Sequence, residues 1–103
     1  MPTAIIAIGG NALIKSGQQG TITEQFVNSR ETCQQLIQLV KMGYRIILTH
    51  GNGPQVGFAL RRHEKASKDV PASPLGVCVA ETVGSMGYML QQTMQNTVKK
   101  HNL

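Results

Sequence analysis

Apolar positions along the chain alternate between two periods. Ala4-Ile5-Ile6-Ala7-Ile8 is an unbroken apolar run closed by Gly9-Gly10, the pattern of a strand buried on both faces, as in a parallel sheet. A polar loop follows from Ser16 to Gly20. From Thr23 to Met42 the period turns helical, with Phe26, Cys33, Leu36, Ile37 and Val40 on one face. Thr23 is the expected N-cap and Gly43 the expected stop. A second strand is predicted over Tyr44 to Thr49, centred on Ile46-Ile47-Leu48, and it ends in His50-Gly51-Asn52-Gly53-Pro54. Pro54 suits the first turn of a helix, where a missing N–H leaves no acceptor unpaired. That helix carries Val56 and Leu60 and runs into the Arg61 to Lys68 region. After a loop from Val70 to Pro74, Leu75, Val79, Val83, Met86, Leu90 and Met94 recur at three- and four-residue intervals. They predict a helix with a core stripe reaching about Val98.

The order strand, helix, strand, helix, helix argues for an α/β layer with a parallel sheet. Two parallel strands with apolar faces do not make a finished sheet, because edges and faces stay uncovered. The 103 residues have room for one domain or part of a larger one, and the pattern reads as incomplete.

Composition changes this picture little. Hydrophobic residues make up 41% and aromatics 4%, with no tryptophan, so aliphatic side chains and methionines must fill the core. Met86, Met89 and Met94 are read as such filling rather than as metal ligands. No apolar run approaches the roughly 20 residues of a membrane span, and Met1-Pro2-Thr3-Ala4 lacks a signal-peptide start, so a cytoplasmic protein is expected. The net charge of +5 favours anions. Its basic residues are scattered rather than striped with aromatics, which argues against nucleic acid. Cys33 and Cys78 are expected as buried thiols. His50, His63 and His101 lack metal-ligand spacing, and no metal site is expected.

Chemistry concentrates where the two strands end. Gly9-Gly10-Asn11 and Gly51-Asn52-Gly53 follow consecutive strands, and parallel α/β sheets gather ligands outside the carboxyl ends of their strands. Glycine lets a backbone approach an anion closely, with N–H groups pointing at phosphate oxygens. The helix starting near Pro54 adds the positive end of its dipole. Asn11 and Asn52 offer side-chain amides as further donors. Neither loop fits the dinucleotide fingerprint Gly-x-Gly-x-x-Gly, and no Gly-Lys-Ser/Thr is present, which disfavours NAD-dependent and P-loop enzymes.

Three segments in order carry a family resemblance. Ile6 to Leu13, Thr49 to Gly57, and Pro74-Leu75 through Cys78-Val79-Ala80-Glu81 to Gln92 closely resemble the opening motifs of carbamate kinases, members of the amino-acid-kinase superfamily. The resemblance implies the N-terminal part of a three-layer parallel-sheet sandwich, with residues 1–103 lacking the nucleotide-binding half. It implies reversible phosphoryl transfer between ATP and carbamate with Mg²⁺, in a cytoplasmic homodimer. Gly9, Gly10 and Asn11 would hold the transferring phosphate, and Gly51, Asn52 and Gly53 would complete the cradle near carbamate. Catalytic lysines would lie beyond this chain. Many relatives in the superfamily carry a lysine where this chain, like carbamate kinases, has Ala7 instead. Lys15, just past the first loop, is read as a solvated side chain, and His50 as ordering the strand end rather than as a base. Gly76 departs from the family's usual acidic residue. Two alternatives stay open: an inactive truncated anion-binding or dimerising module, and a carbamate-kinase-like paralogue acting on another small carboxylate.

Overall fold

The computed structural model describes all residues from Met1 to Leu103. Its order is β1 (Thr3–Ile8), a 3-10 turn (Gly10–Ala12), α1 (Ile22–Lys41), β2 (Arg45–His50), α2 (Gly53–Ala66) and α3 (Leu75–Lys100). β1 and β2 pair in parallel, with Thr3 opposite Arg45 and Ile8 opposite His50. The pairing extends one step further, as Gly51 N–H donates to Ile8 O at 2.8 Å. α1 is the crossover that parallel pairing requires.

α1 begins two residues before the expected start. Thr21, not Thr23, is the N-cap: its hydroxyl accepts from Glu24 N–H, and the Glu24 carboxylate reaches back to Thr21 N–H in a full capping box. Thr23 lacks such a partner, since no acidic residue stands three positions beyond it. Gly43, at φ +89°, ends the helix as expected.

The expectation of strands buried on both faces is corrected. Ile6, Ile8 and Leu48 point toward the helices, where Ile8 joins Leu13, Met86, Met89 and Leu90 in the core. Ile5 is 71% exposed and Ile47 50%. Strand side chains alternate faces, and this chain supplies helices to one face only.

The stripe on α3 also needs correction. Met86 and Leu90 are buried, but Leu75 and Val83 are 57% and 49% exposed and Val79 is exposed too. The covered face runs instead through Cys78, Thr82, Met86, Met89, Thr93 and Thr97. Threonines occupy core positions because each hydroxyl bonds a carbonyl one turn back, Thr93 to Met89 O at 2.7 Å and Thr97 to Thr93 O at 2.7 Å. Nothing in the chain packs on the turned-away apolar side. A groove of about 660 Å³ between β2, α1 and α3, lined by Val40, Ile46, Leu48, His50, Met94 and Val98 among others, is likewise open.

Candidate functional site

The parallel pairing sets the two glycine turns side by side at the carboxyl edge of the sheet. A Cβ built on Gly10 would lie 2.8 Å from Pro54 Cδ, 2.9 Å from Gln55 Oε1 and 3.4 Å from Gly53 N. One on Gly51 would lie 3.6 Å from Gly10 N and 4.0 Å from Gly9 Cα. Gly10 is therefore a glycine so that the loops can touch each other, whereas a Cβ on Gly51 would make only ordinary contact. Gly9 and Gly53 differ: a Cβ at either meets nothing within 4 Å, so their backbones face open space at the edge.

What keeps this edge electropositive is the use made of Asn52. It occupies the N-cap position of α2, yet its side chain makes no cap bond. Its Nδ2 donates to Thr82 Oγ1 at 2.7 Å and to Val79 O at 3.2 Å, tying the second loop to α3. The amide donors of Asn52 are thereby committed to the fold. The first amides of α2, from Gly53 and Gln55, have no helical acceptor and stay available beside Gly10. A helix start in that condition attracts anions through its N–H groups and its dipole. Asn11 sits exposed in the 3-10 turn, its carboxamide free to donate.

Beneath the loops lies a relay of buried amide side chains that the sequence reading passed over. Gln55 Nε2 donates to Gly10 O at 3.3 Å and to Gln25 Oε1 at 3.4 Å. Gln25 Nε2 donates to Gly20 O at 3.0 Å, and Asn28 Nδ2 to Leu13 O at 2.7 Å. These bonds hold the ends of the 9–20 segment against α1 and α2. Gln55 Oε1 is buried without a partner. The available signal was polarity at positions 25, 28 and 29, on the same helical face as Cys33; polar residues there must be hydrogen-bonded or costly.

Lys15 is exposed and pairs with Glu31 on α1, as a solvated side chain would. His50 Nδ1 lies 3.4 Å from Gly51 O, at the strand end, and lines the open groove. Ala7 is exposed on the uncovered sheet face. Backbone hydrogen bonding at Thr21 holds the Glu24 carboxyl below its usual range. Burial pushes the Cys33 thiol up, against bonds from Thr93 and Ser29 that pull the other way. The donor set of the two loops, amide N–H groups and a carboxamide, suits a phosphate and not a divalent cation. No helix is long and apolar enough to cross a membrane.

Known proteins match this arrangement along nearly the whole chain. The chain is 41% identical over 101 residues to a carbamate kinase of Pyrococcus horikoshii, covering 96% of this chain and 32% of that protein. It is 43% identical over 107 residues to a carbamate kinase of Thermococcus kodakarensis, covering 100% and 34%. Among solved structures, carbamate kinase from Giardia lamblia bound to AMP-PNP superposes with a TM-score of 0.94 at 37% identity, over 98% of this chain and 35% of that one. The chain thus spans about a third of the length of the relatives it matches. The model of the Amino acid kinase family matches residues 2–103, and the chain belongs to that family.

Proposed function

We propose that this chain supplies the phosphate- and carbamate-binding edge of a carbamate kinase, which transfers a phosphoryl group reversibly between ATP and carbamate. The observation that carries the reading is the uncapped start of α2 held against Gly10, with the capping side chain diverted to α3. Gly9, Gly10 and Asn11 hold the transferring phosphoryl group, while Gly51, Asn52 and Gly53 complete the cradle, Gly53 through its free N–H and Gly51, whose N–H is bonded to Ile8 O, by shaping the turn. Phosphoryl transfer asks little covalent chemistry of a protein; positioning and charge stabilisation supply most of the acceleration. Two loops fixed by strand pairing and by buried amides suit that task. Carbamate brings its own anionic oxygen, so His50 is not required as a base.

Charge neutralisation needs cations that these loops lack, given Ala7 and the Lys15–Glu31 pair. In this reading the lysines, the adenine contacts and Mg²⁺ belong to the two thirds of the relatives' length that this chain does not match. The active protein is then a longer, homodimeric polypeptide in the cytoplasm.

Coupled measurement of ATP formation from ADP and carbamoyl phosphate tests the assignment. The 103-residue chain is expected to bind carbamoyl phosphate without turnover, with amide NMR shifts at Gly9, Gly10 and Gly53. A longer polypeptide that continues the chain through the rest of the family fold is expected to form ATP. Turnover by the 103 residues alone would remove the division of labour argued above. Strong preference of the longer protein for a different carboxylate would replace carbamate with that acid, a reading for which Gly76 in place of the family's acidic residue leaves room.

A further inference from the structure

Away from the glycine loops, packing of α2 against α3 gathers three side chains that the sequence keeps apart. His63 on α2 meets Cys78 and Glu81 on α3, and one ligand atom from each lies within 4.8 Å of the other two. We infer that His63, Cys78 and Glu81 form a binding site for a divalent transition ion of the zinc class.

The chemistry of the set is selective. Thiolate, imidazole and carboxylate are the three ligand types that Zn²⁺ accepts, and a thiolate disfavours Mg²⁺ and Ca²⁺. Cys78 and Glu81 stand three apart on one helix, so both project from the same face. Zinc–ligand lengths of about 2.0–2.3 Å in tetrahedral geometry put donors roughly 3.3–3.7 Å apart. His63 Nε2 and Glu81 Oε2 are already 3.3 Å apart. Only the sulfur edges need to close, by at most about 1.5 Å. Cys78 is fully buried, His63 half-buried and Glu81 exposed. The ion therefore enters past Glu81, and water takes the fourth position on the solvent side.

The surroundings orient the ligands. Ser73 N–H donates to His63 Nδ1 at 3.2 Å, and the Cys78 thiol donates to Ser73 O at 3.7 Å. The backbone of Ser73 thus touches both the ring and the thiol in the metal-free chain; a ring bound to zinc through Nε2 would instead donate from Nδ1, so the Ser73 N–H bond is given up on binding. With Nδ1 accepting, the ring proton sits on Nε2 and is donated to Glu81. On binding, the Sγ–H bond breaks as the Zn–S bond forms, and that proton leaves to solvent. The ring proton moves from Nε2 to Nδ1, which releases the bond from Ser73 N–H and leaves the Nδ1 proton to water. One proton is released per ion, and no electron changes hands. The ion would clamp α2 to α3.

Equilibrium dialysis of the full chain with Zn²⁺, and titration with Co²⁺ followed by absorbance, test the site. One ion per chain, one proton released and a thiolate-to-cobalt charge-transfer band are expected. His63→Ala and Cys78→Ser should each weaken binding by at least about 10–100-fold. Cys33→Ser, which removes the other thiol, should leave the band intact. Glu81→Gln alters an exposed position, so its fold can be checked by circular dichroism while its zinc affinity falls. No stoichiometric ion, a band that survives Cys78→Ser, or unchanged affinity in folded Glu81→Gln would each overturn the site. None of these readouts depends on phosphoryl transfer.

Discussion

Gly10 and Gly53 lie in adjoining turns but meet opposite surroundings. A methyl group on Gly10 would press on Pro54 and Gln55 at under 3 Å, whereas one on Gly53 would enter open space. Gly10→Ala should therefore lower the melting temperature and broaden the spectrum of the whole sheet edge. Gly53→Ala should melt slightly lower than the parent, because a helical residue with a Cβ is disfavoured before Pro54, but by less than Gly10→Ala, since no other atom lies in its way. Its carbamoyl phosphate binding should nevertheless fall severalfold as the methyl group enters the anion's space. Equal binding by Gly53→Ala and parent would take that glycine out of the cradle. Glu24 illustrates residue-scale electrostatics. Its carboxyl is lowered by the bond from Thr21 N–H, so the folded value lies below the unfolded one. The capping-box contribution is thus present above the unfolded carboxylate range and lost as pH falls through the folded value. Acid denaturation curves of Glu24→Gln and parent should accordingly converge at low pH and separate near neutrality. Curves offset equally at every pH would deny the carboxylate its part.

At the scale of elements, α1 and α3 are joined by a polar seam as much as by an apolar one. Ser29 and Thr93 share a hydroxyl–hydroxyl bond, and Cys33 Sγ lies 3.5 Å from the same Thr93 oxygen. Thr93→Val keeps the shape but removes the oxygen partner of the buried Ser29 hydroxyl, leaving it only the weak Cys33 thiol. A buried unsatisfied hydroxyl costs about 1–3 kcal/mol, so a downward shift of the denaturation midpoint is expected, partly rescued by Ser29→Ala in the double variant. Additive losses would mean that the two hydroxyls act independently. The same seam explains why periodicity located α3 but misassigned its buried side. Thr82, Thr93 and Thr97 look polar in sequence yet satisfy themselves against their own helix. Leu75, Val79 and Val83 look like core and find no neighbour here. Gly76 stands in the first turn of α3, a turn with neither an acidic residue nor a side-chain cap.

The whole molecule is elongated, 52 × 25 × 22 Å with a radius of gyration of 15.6 Å. A compact domain of this length has a radius near 13 Å. The excess comes from α3, whose 26 residues extend about 39 Å, and from the sheet's bare face. Ile5 and Ile47 stand adjacent across the strands on that face, beside unpaired strand edges that invite association. Sedimentation of the isolated chain should show concentration-dependent association and a broad melt. Ile5→Thr with Ile47→Thr should reduce the association without unfolding the chain. A sharp cooperative melt of a strictly monomeric chain would contradict this account.

Much of the architecture was legible in the chain itself. Two apolar runs ending in glycine, with a helix-length period between them, fix parallel strands and put both turns at one edge, because right-handed crossovers leave little choice. The residues of the candidate cradle follow from the same pattern. Tertiary structure alone decided which glycine serves packing and which faces open space, since that depends on atoms 40 residues away. It also turned the Asn52 amide onto α3 rather than toward the edge, buried Gln25 and Gln55 under the loops, and brought His63 to Cys78 and Glu81. Hydrogen-bond satisfaction and ligand convergence are properties of positions in space, and periodicity along a chain records only which face a residue shares with its own helix or strand.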